Sequence, residues 1–247
     1  MTLTRTEVHQ LLESHGLAPS RALGQNFVAD PNTVRRIARL AGIGPGDHVL
    51  EIGAGLGCLT LALADTGAAV TAVEVDKYLV PILREVVEPV GASVLEADAM
   101  TADWASILGE HERWTLVANL PYNISTPLVL DLLDHVPSIG RMLVMVQREA
   151  GERLAAAPGH KAYGIPSVKV AYWATATIVG RVPPTVFVPQ PKVESALVRT
   201  GFGQRRKMLR RSLAGVVGDE TFAAAGVRPE ARPEELDVEA WGRLASC

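Results

Sequence analysis

The stretch HVLEIGAGLGCLTLALADTGAAVTAVEVD, residues 48–76, decides the fold. It opens on a short apolar run, HVLEIG, bounded by Pro45-Gly46 on one side and Gly53 on the other. LTLALADTG follows with a helical pattern and stops at Gly67, and AVTAVEVD is a second apolar run. Strand, glycine turn, helix, strand is a parallel crossover unit, whose connection is right-handed. Strands buried on both faces read as unbroken apolar runs, as these do.

The same rhythm extends in both directions. Upstream, Asp30-Pro31 opens a helix, with Asp30 as N-cap and Pro31 at the first helical position. Val34, Ile37, Ala38 and Ala41 supply its apolar stripe, and Gly42 stops it. Before it, SRALGQNFVAD (20–30) has no period and reads as a loop, and residues 7–15 read as a helix. Downstream, SVLEAD, WTLVANL and RMLVMVQ read as strands, and KYLVPILREVVEPV, TPLVLDLLDHV and REAGERLAA as helices. SVKVAYWATATIVG (167–180) and KVESALVRT (192–200) read as late β-rich runs that pair antiparallel at a sheet edge. The proline-rich VPPTVFVPQPKV between them cannot be a helix. From Gly203 the pattern is helical again, broken by Pro229 and Pro233. The prediction is an α/β domain over 1–201, a parallel sheet with helices on both faces, followed by a small all-α domain over 202–247.

At 247 residues the chain can bury one substantial core. The start, MTLTRTEVHQ, carries no apolar signal region, and no apolar run is long enough to span a bilayer. Two cysteines build neither a disulfide framework nor a metal site, which fits a reducing, cytoplasmic setting. The six histidines lack ligand-like pairing, so no metal is expected. A net charge of −3 argues against a protein that coats nucleic acid over its whole surface. The number hides an asymmetry. Arg199, Arg205, Arg206, Lys207, Arg210 and Arg211 fall in one run with no acid among them, whereas the tail after Gly218 is acidic. Such a run is either a solvated face or a phosphate-binding one.

The glycine turn 53–57 lets backbone approach a ligand, and the following helix N-terminus favours an anion. Its spacing, GxGxG, is not the dinucleotide GxGxxG, and a glycine turn alone can serve packing. Here Glu74 ends the second strand, where a ribose-binding acid belongs, and Asp98 ends the third, where an acid could hold an adenine amine. These strand ends converge on the crevice where such sheets bind ligands. Asn119-Leu120-Pro121-Tyr122 ends the fourth strand across that crevice. An amide, a strand-end carbonyl, a rigid proline and an aromatic ring suit a flat base with an exocyclic amine. The plain alternative is a proline-initiated turn with Tyr122 packed on the edge, although Asn119 after the apolar LVA then needs a partner. No Ser/His/Asp set and no GKS phosphate loop is present.

The chain resembles the KsgA family of rRNA adenine N6-dimethyltransferases over essentially its full length. The resemblance is carried by LGQNFVAD (23–30), VLEIGAGLGCLT (49–60), VEVD (73–76), NLPYNISTPL (119–128), VMVQREAGERLAAAPG (144–159), AYGIPSV (162–168), VPPTVFVPQPKVESALV (182–198) and QRRKMLRRSL (204–213). It implies a Rossmann-like class I methyltransferase sheet, S-adenosyl-L-methionine as cofactor, and two methyl transfers to each of two adjacent adenosines near the 3′ end of 16S rRNA. The implied partner is 16S rRNA or a small-subunit precursor, met by a monomer. Asn26 and the Val28 backbone close over the cofactor, the glycine turn with Gly53 and Gly55 approaches its methionine part, Glu74 takes the ribose, and Asp98 reads the adenine. Asn119 lies between the methyl donor and the target base, binding the cofactor as well, and with Leu120 it holds the target amine. Tyr122 stacks on the base and Phe187 takes its other face. Arg205, Arg206, Lys207, Arg210 and Arg211 contact phosphates. The chain departs from the family pattern at Ala54, usually proline, at Val28, usually leucine, and in a shorter region after QRRKMLRRSL. Alternatives are a 23S rRNA adenosine, as in macrolide-resistance enzymes, a non-catalytic ribosome-assembly factor, and a small-molecule methyltransferase, which the basic run and NLPY disfavour.

Overall fold

The centre of the sheet is the 48–76 unit. In the computed structural model, which describes residues 2–109, 111, 113–201, 213, 217–231 and 235–246, β2 (His48–Ile52) and β3 (Ala69–Glu74) lie parallel, joined by α3 (Cys58–Ala64). On the far side of β3 lies β4 (Ser93–Glu96), and on the far side of β2 lie β5 (Trp114–Asn119) and β6 (Ile139–Gln147), all parallel. The sheet closes with β9 (Ser195–Gly201) and β7 (Thr175–Val182), in the order β4-β3-β2-β5-β6-β9-β7. β9 is antiparallel to both neighbours, as the sequence predicts for its two late runs. The strand order reverses between β2 and β5, so the crevice beyond their carboxyl ends is the ligand position of this doubly wound, Rossmann-like arrangement.

Alternate residues of each strand feed opposite layers, which is why the runs are apolar throughout. Val49, Val117 and Leu143 face one core with α1 (Arg5–Ser14), α2 (Pro31–Ala41), α3 and α4 (Val80–Val87). Leu50, Leu116 and Val144 face the other with α5 (Trp104–Leu108), α6 (Ser125–His135), α7 (Arg148–Leu154) and α8 (Ile165–Trp173). Local chemistry sets the ends of these helices. Thr4 and Glu7 form a capping box on α1. Asp30 caps α2 through the Thr33 N–H, Pro31 follows, and Gly42 ends it in the left-handed region at φ 61°.

Two local expectations are corrected. The first half of SVKVAYWATATIVG is helix α8, not strand. Gly164 and Pro166 start it, and the Ser167 hydroxyl receives the Gly164 N–H while donating to the Arg153 carbonyl. The loop 20–30 contains a two-residue strand, β1 (Phe27–Val28), paired with β8 (Phe187–Val188) out of the proline-rich stretch. At the start of α6 there is no side-chain cap, and the Ser125 hydroxyl donates to the Tyr122 carbonyl. Past Gly201, α9 (Asp219–Ala224) and α10 (Val238–Ser246) contribute to a separate small core around Phe222, Ala225, Ala240 and Leu244. Trp241 of that segment meets Tyr172 of α8 edge-on at 6.0 Å between ring centres.

Candidate active site

A cleft of about 900 Å³, open solvent included, lies over the carboxyl ends of β2, β3 and β5. The glycine turn and Glu74 line one half, and Asn119 through Tyr122 the other. Residues 23–28 pass across both as a strap.

The glycine half is built locally. Gly53 and Gly55 have φ of 72° and 59°, which only glycine adopts without strain. A side chain on Gly53 would project toward Pro121 and the Asn119 carbonyl, at 3.6 and 3.7 Å, into the space between the two halves. A Cβ on Gly55 would lie 2.8 Å from the Phe27 ring, so this glycine admits the strap. Its N–H donates to Glu74 at 2.7 Å. The Glu74 carboxylate also accepts the Val75 and Asp76 N–H groups, each at 2.9 Å. Burial raises the Glu74 pKa and these three N–H groups oppose it. Glu74 thus braces the turn against β3 while lining the cleft. Asp98 lies just past β4 at the exposed rim, one oxygen receiving the Met100 N–H at 2.9 Å.

The other half is assembled from distant segments. Asn119 ends β5, and its side-chain Nδ2 donates to the Asn26 carbonyl at 2.9 Å. That bond fixes the amide orientation and leaves Oδ1 as the acceptor. The Leu120 N–H donates to the Met145 carbonyl at 3.0 Å, which holds the adjoining peptide on the sheet. Pro121 turns the chain, and Tyr122 is half-buried on the cleft wall. The Asn26 side chain donates to the Gly24 carbonyl at 3.0 Å, and Gln25 donates to Asp76 at 2.7 Å, tying the strap to the far side. Val28 lines the cleft and pairs with Phe187.

The structure therefore brings together Asn26, Val28, Gly53, Gly55, Glu74, Asp98, Asn119, Leu120 and Tyr122. Phe187 stands apart. Its ring is 0% exposed in the core beneath β1 and is not in the cleft wall, so as placed it offers no face to a base. The reason is the β1–β8 pairing, which turns it inward. Arg205, Arg206, Lys207, Arg210 and Arg211 lie outside the described residues.

Two residues escaped the sequence reading. Glu51 is 1% exposed under the glycine turn, and its Oε2 finds no hydrogen-bond partner among the described residues. Burial pushes its pKa up to about 8, with the nearby Thr60 hydroxyl opposing and Glu74 adding to the rise. Ser195 is fully buried, and its hydroxyl lies 2.8 Å from that of Tyr122. For Glu51 the signal was an acid inside the apolar run VLEIG, whereas Ser195 stands at the head of its run, after Glu194, where nothing in the sequence marks it.

These residues fit S-adenosyl-L-methionine. A strand-end acid, a glycine turn held open by missing side chains and a rim acid meet the needs of a nucleoside joined to an amino acid, and a family comparison agrees. A family model described as ribosomal RNA adenine dimethylase matches residues 18–241. The chain is 40% identical to a Ribosomal RNA small subunit methyltransferase A of Bifidobacterium longum, over 99% of this chain and 93% of that one. That alignment runs over 286 positions against 247 residues here, so the relative carries insertions this chain lacks. Identity is 42% to the protein of the same name in Corynebacterium glutamicum, over 97% and 92% of the two chains. Among solved structures, the 23S rRNA methyltransferase ErmE matches with a TM-score of 0.62 and 26% identity, over 89% of this chain and 98% of that one.

Proposed function

The chain belongs to the ribosomal RNA adenine dimethylase family, and on that premise we propose that it dimethylates N6 of two adjacent adenosines near the 3′ end of small-subunit (16S) rRNA. The small-subunit choice over a 23S target follows the relatives: 40–42% identity to proteins named for the small subunit, against 26% to the 23S enzyme. The single observation that carries the chemistry is the Asn119 amide, with its nitrogen tied to the Asn26 carbonyl and its oxygen left for a donor.

S-adenosyl-L-methionine supplies, when bound, a methyl carbon made electrophilic by the sulfonium. The residues of this chain have to bind, orient and make the attacking nitrogen more nucleophilic. An adenine N6 lone pair is delocalised into the ring. Asn119 Oδ1 and the Leu120 carbonyl accept its two protons and favour a pyramidal nitrogen with a free lone pair. Asn119 is neutral, so it orients and does not act as a base; the proton leaves to water after transfer. Holding donor and acceptor in line supplies several kcal/mol of the barrier reduction. A base in a duplex is out of reach, so the target is an unstacked loop nucleotide on the Tyr122 ring. Of the two aromatic rings lining the cleft, Phe27 lies close against Gly55 and Tyr122 is the more open. Glu74 takes the ribose hydroxyls, Asp98 the adenine amine, and Asn26, Val28, Gly53 and Gly55 enclose the methionine part.

On this reading residues 202–247 form a docking domain. Arg205, Arg206, Lys207, Arg210 and Arg211 meet phosphates, giving binding that weakens with salt. The protein works as a monomer in the cytoplasm; among the described residues no helix is long and apolar enough to cross a membrane. The test is methyl transfer from a labelled donor to 30S particles lacking the modification, with mass spectrometry of the rRNA fragments. Dimethyladenosine in the 3′-terminal fragment is expected. No label on the 30S particles, with label taken up by 23S rRNA offered in parallel, would overturn the assignment.

A further inference from the structure

Tyr122 is more than a ring at the end of a motif. Its hydroxyl lies 2.8 Å from Ser195 Oγ, across 73 residues of sequence. Ser195 is the first residue of β9, held between Gln147 of β6 and Val182 of β7. It is 0% exposed, and the three residues after it, Ala196, Leu197 and Val198, are fully buried and apolar. A hydroxyl in such a run is costly without a partner. Tyr122 is the hydrogen-bond partner found for it among the described residues. The position is firmly anchored. The preceding residue, Glu194, accepts the Arg148 N–H on its carbonyl and the Arg148 guanidinium on its carboxylate, both at 2.9 Å.

A tyrosine ring is defined by two torsions. Its Cα is fixed by the turn at Pro121, which accepts the Ile124 and Ser125 N–H groups. The phenolic oxygen lies on the axis of the second torsion, so tying it to β9, next to the edge strand β7, fixes the first torsion and with it where the ring sits. Stacking requires the ring centre to lie over the base, so a tyrosine held at its hydroxyl offers its ring at one place where a phenylalanine does not. Burial raises the Tyr122 pKa while the Ser195 bond opposes it, so the neutral phenol, able to donate or accept, persists across the working pH range.

We propose that Ser195 is a positioning residue for base recognition: it never meets the substrate, and it fixes where the Tyr122 ring lies, against which the target adenine stacks. The inference rests on the reading of Tyr122 as the stacking ring. It adds that the hydroxyl of that ring serves orientation, through one buried serine, and takes no part in proton transfer.

The experiment is a double-mutant cycle on the full chain with 30S particles as substrate. Ser195→Ala, Tyr122→Phe, the double variant and Tyr122→Ala are compared for kcat and KM toward the particle, and for cofactor affinity by calorimetry. Ser195→Ala and Tyr122→Phe should each lower kcat/KM by about five- to tenfold, the scale of one hydrogen bond. The double variant should lose no more than either single one, with cofactor affinity unchanged. The proposal is overturned if Ser195→Ala turns over like the parent, if the two losses multiply, or if cofactor affinity falls in step with turnover, which marks a merely structural serine. Full turnover by Tyr122→Ala sinks the stacking role itself. A dead Tyr122→Ala beside a fully active Ser195→Ala keeps that role and removes Ser195 from it.

Discussion

The two halves of the cleft are built in opposite ways. In the glycine half, the partner of the turn is Glu74, 19 residues from Gly55 and on the next strand. In the transfer half, Asn119 is set by a carbonyl 93 residues away and Tyr122 by a hydroxyl 73 residues away. A local site needs only one crossover unit to form. A site assembled from three remote segments needs the whole sheet in register. The strap ties the halves together, because Asn26 holds Asn119 while Gln25 holds Asp76.

That contrast governs how much the sequence disclosed. The crossover unit, the capped helix after Asp30 and the strand-end acids follow from periodicity and turn chemistry, which are local. Asn119 and Tyr122 were legible as residues, but not their partners, since nothing near position 119 points to Asn26 or Ser195. Helix α8 was misread because Ile165, Val168 and Tyr172 are exposed while Val170 is buried, so no apolar stripe stands out and the β-branched residues suggest strand. The β1–β8 pair has two residues per strand and offers no period at all, and it is this pair that carries Phe187 into the core.

The sharpest way to separate the halves is Asn119→Ala. It removes the amine acceptor and leaves Glu74 and the glycine turn intact. Methylation of 30S particles should fall by at least about a hundredfold, the scale for removing a positioned polar group at a reacting centre. Cofactor affinity measured by calorimetry should stay within a few-fold of the parent. Near-normal turnover would end the role of Asn119 as acceptor, and a parallel loss of cofactor affinity would show that the two halves do not work independently.

A second test asks whether the local half stores its own pH dependence. Glu51 titrates near 4.5 unfolded and near 8 folded, with Glu74 and the Cys58 thiol as its titratable neighbours. The folded state therefore holds a proton that the unfolded chain releases between those values. The stabilisation is complete below pH 4.5 and is lost as pH rises through 8. Folding stability of the cofactor-free protein should decline over that window by an amount on the order of 4 kcal/mol. Glu51→Gln should flatten the decline and be the more stable protein at pH 9. Parallel stability curves for the two proteins, by urea denaturation from pH 5 to 9, would show that Glu51 is not the group responsible.

The smallest effect lies in the strap between the halves. Gln25 donates to Asp76 at 2.7 Å and accepts the Ser20 N–H at the same distance, both partly buried. Phe27 and Val28 are held separately by β8, and Asn26 by Asn119, so the strap has other attachments. Gln25→Ala removes both of these bonds, a loss of about 1–2 kcal/mol once solvent replaces the partners. Cofactor affinity should weaken by about three- to tenfold, through faster release, because the strap lies across the bound group. The maximal methylation rate should be unchanged, since Asn119 keeps its own tie to Asn26. If Gln25→Ala instead lowers the maximal rate and leaves cofactor release alone, the strap transmits its tension to Asn119, and the two halves of the cleft are one mechanical unit.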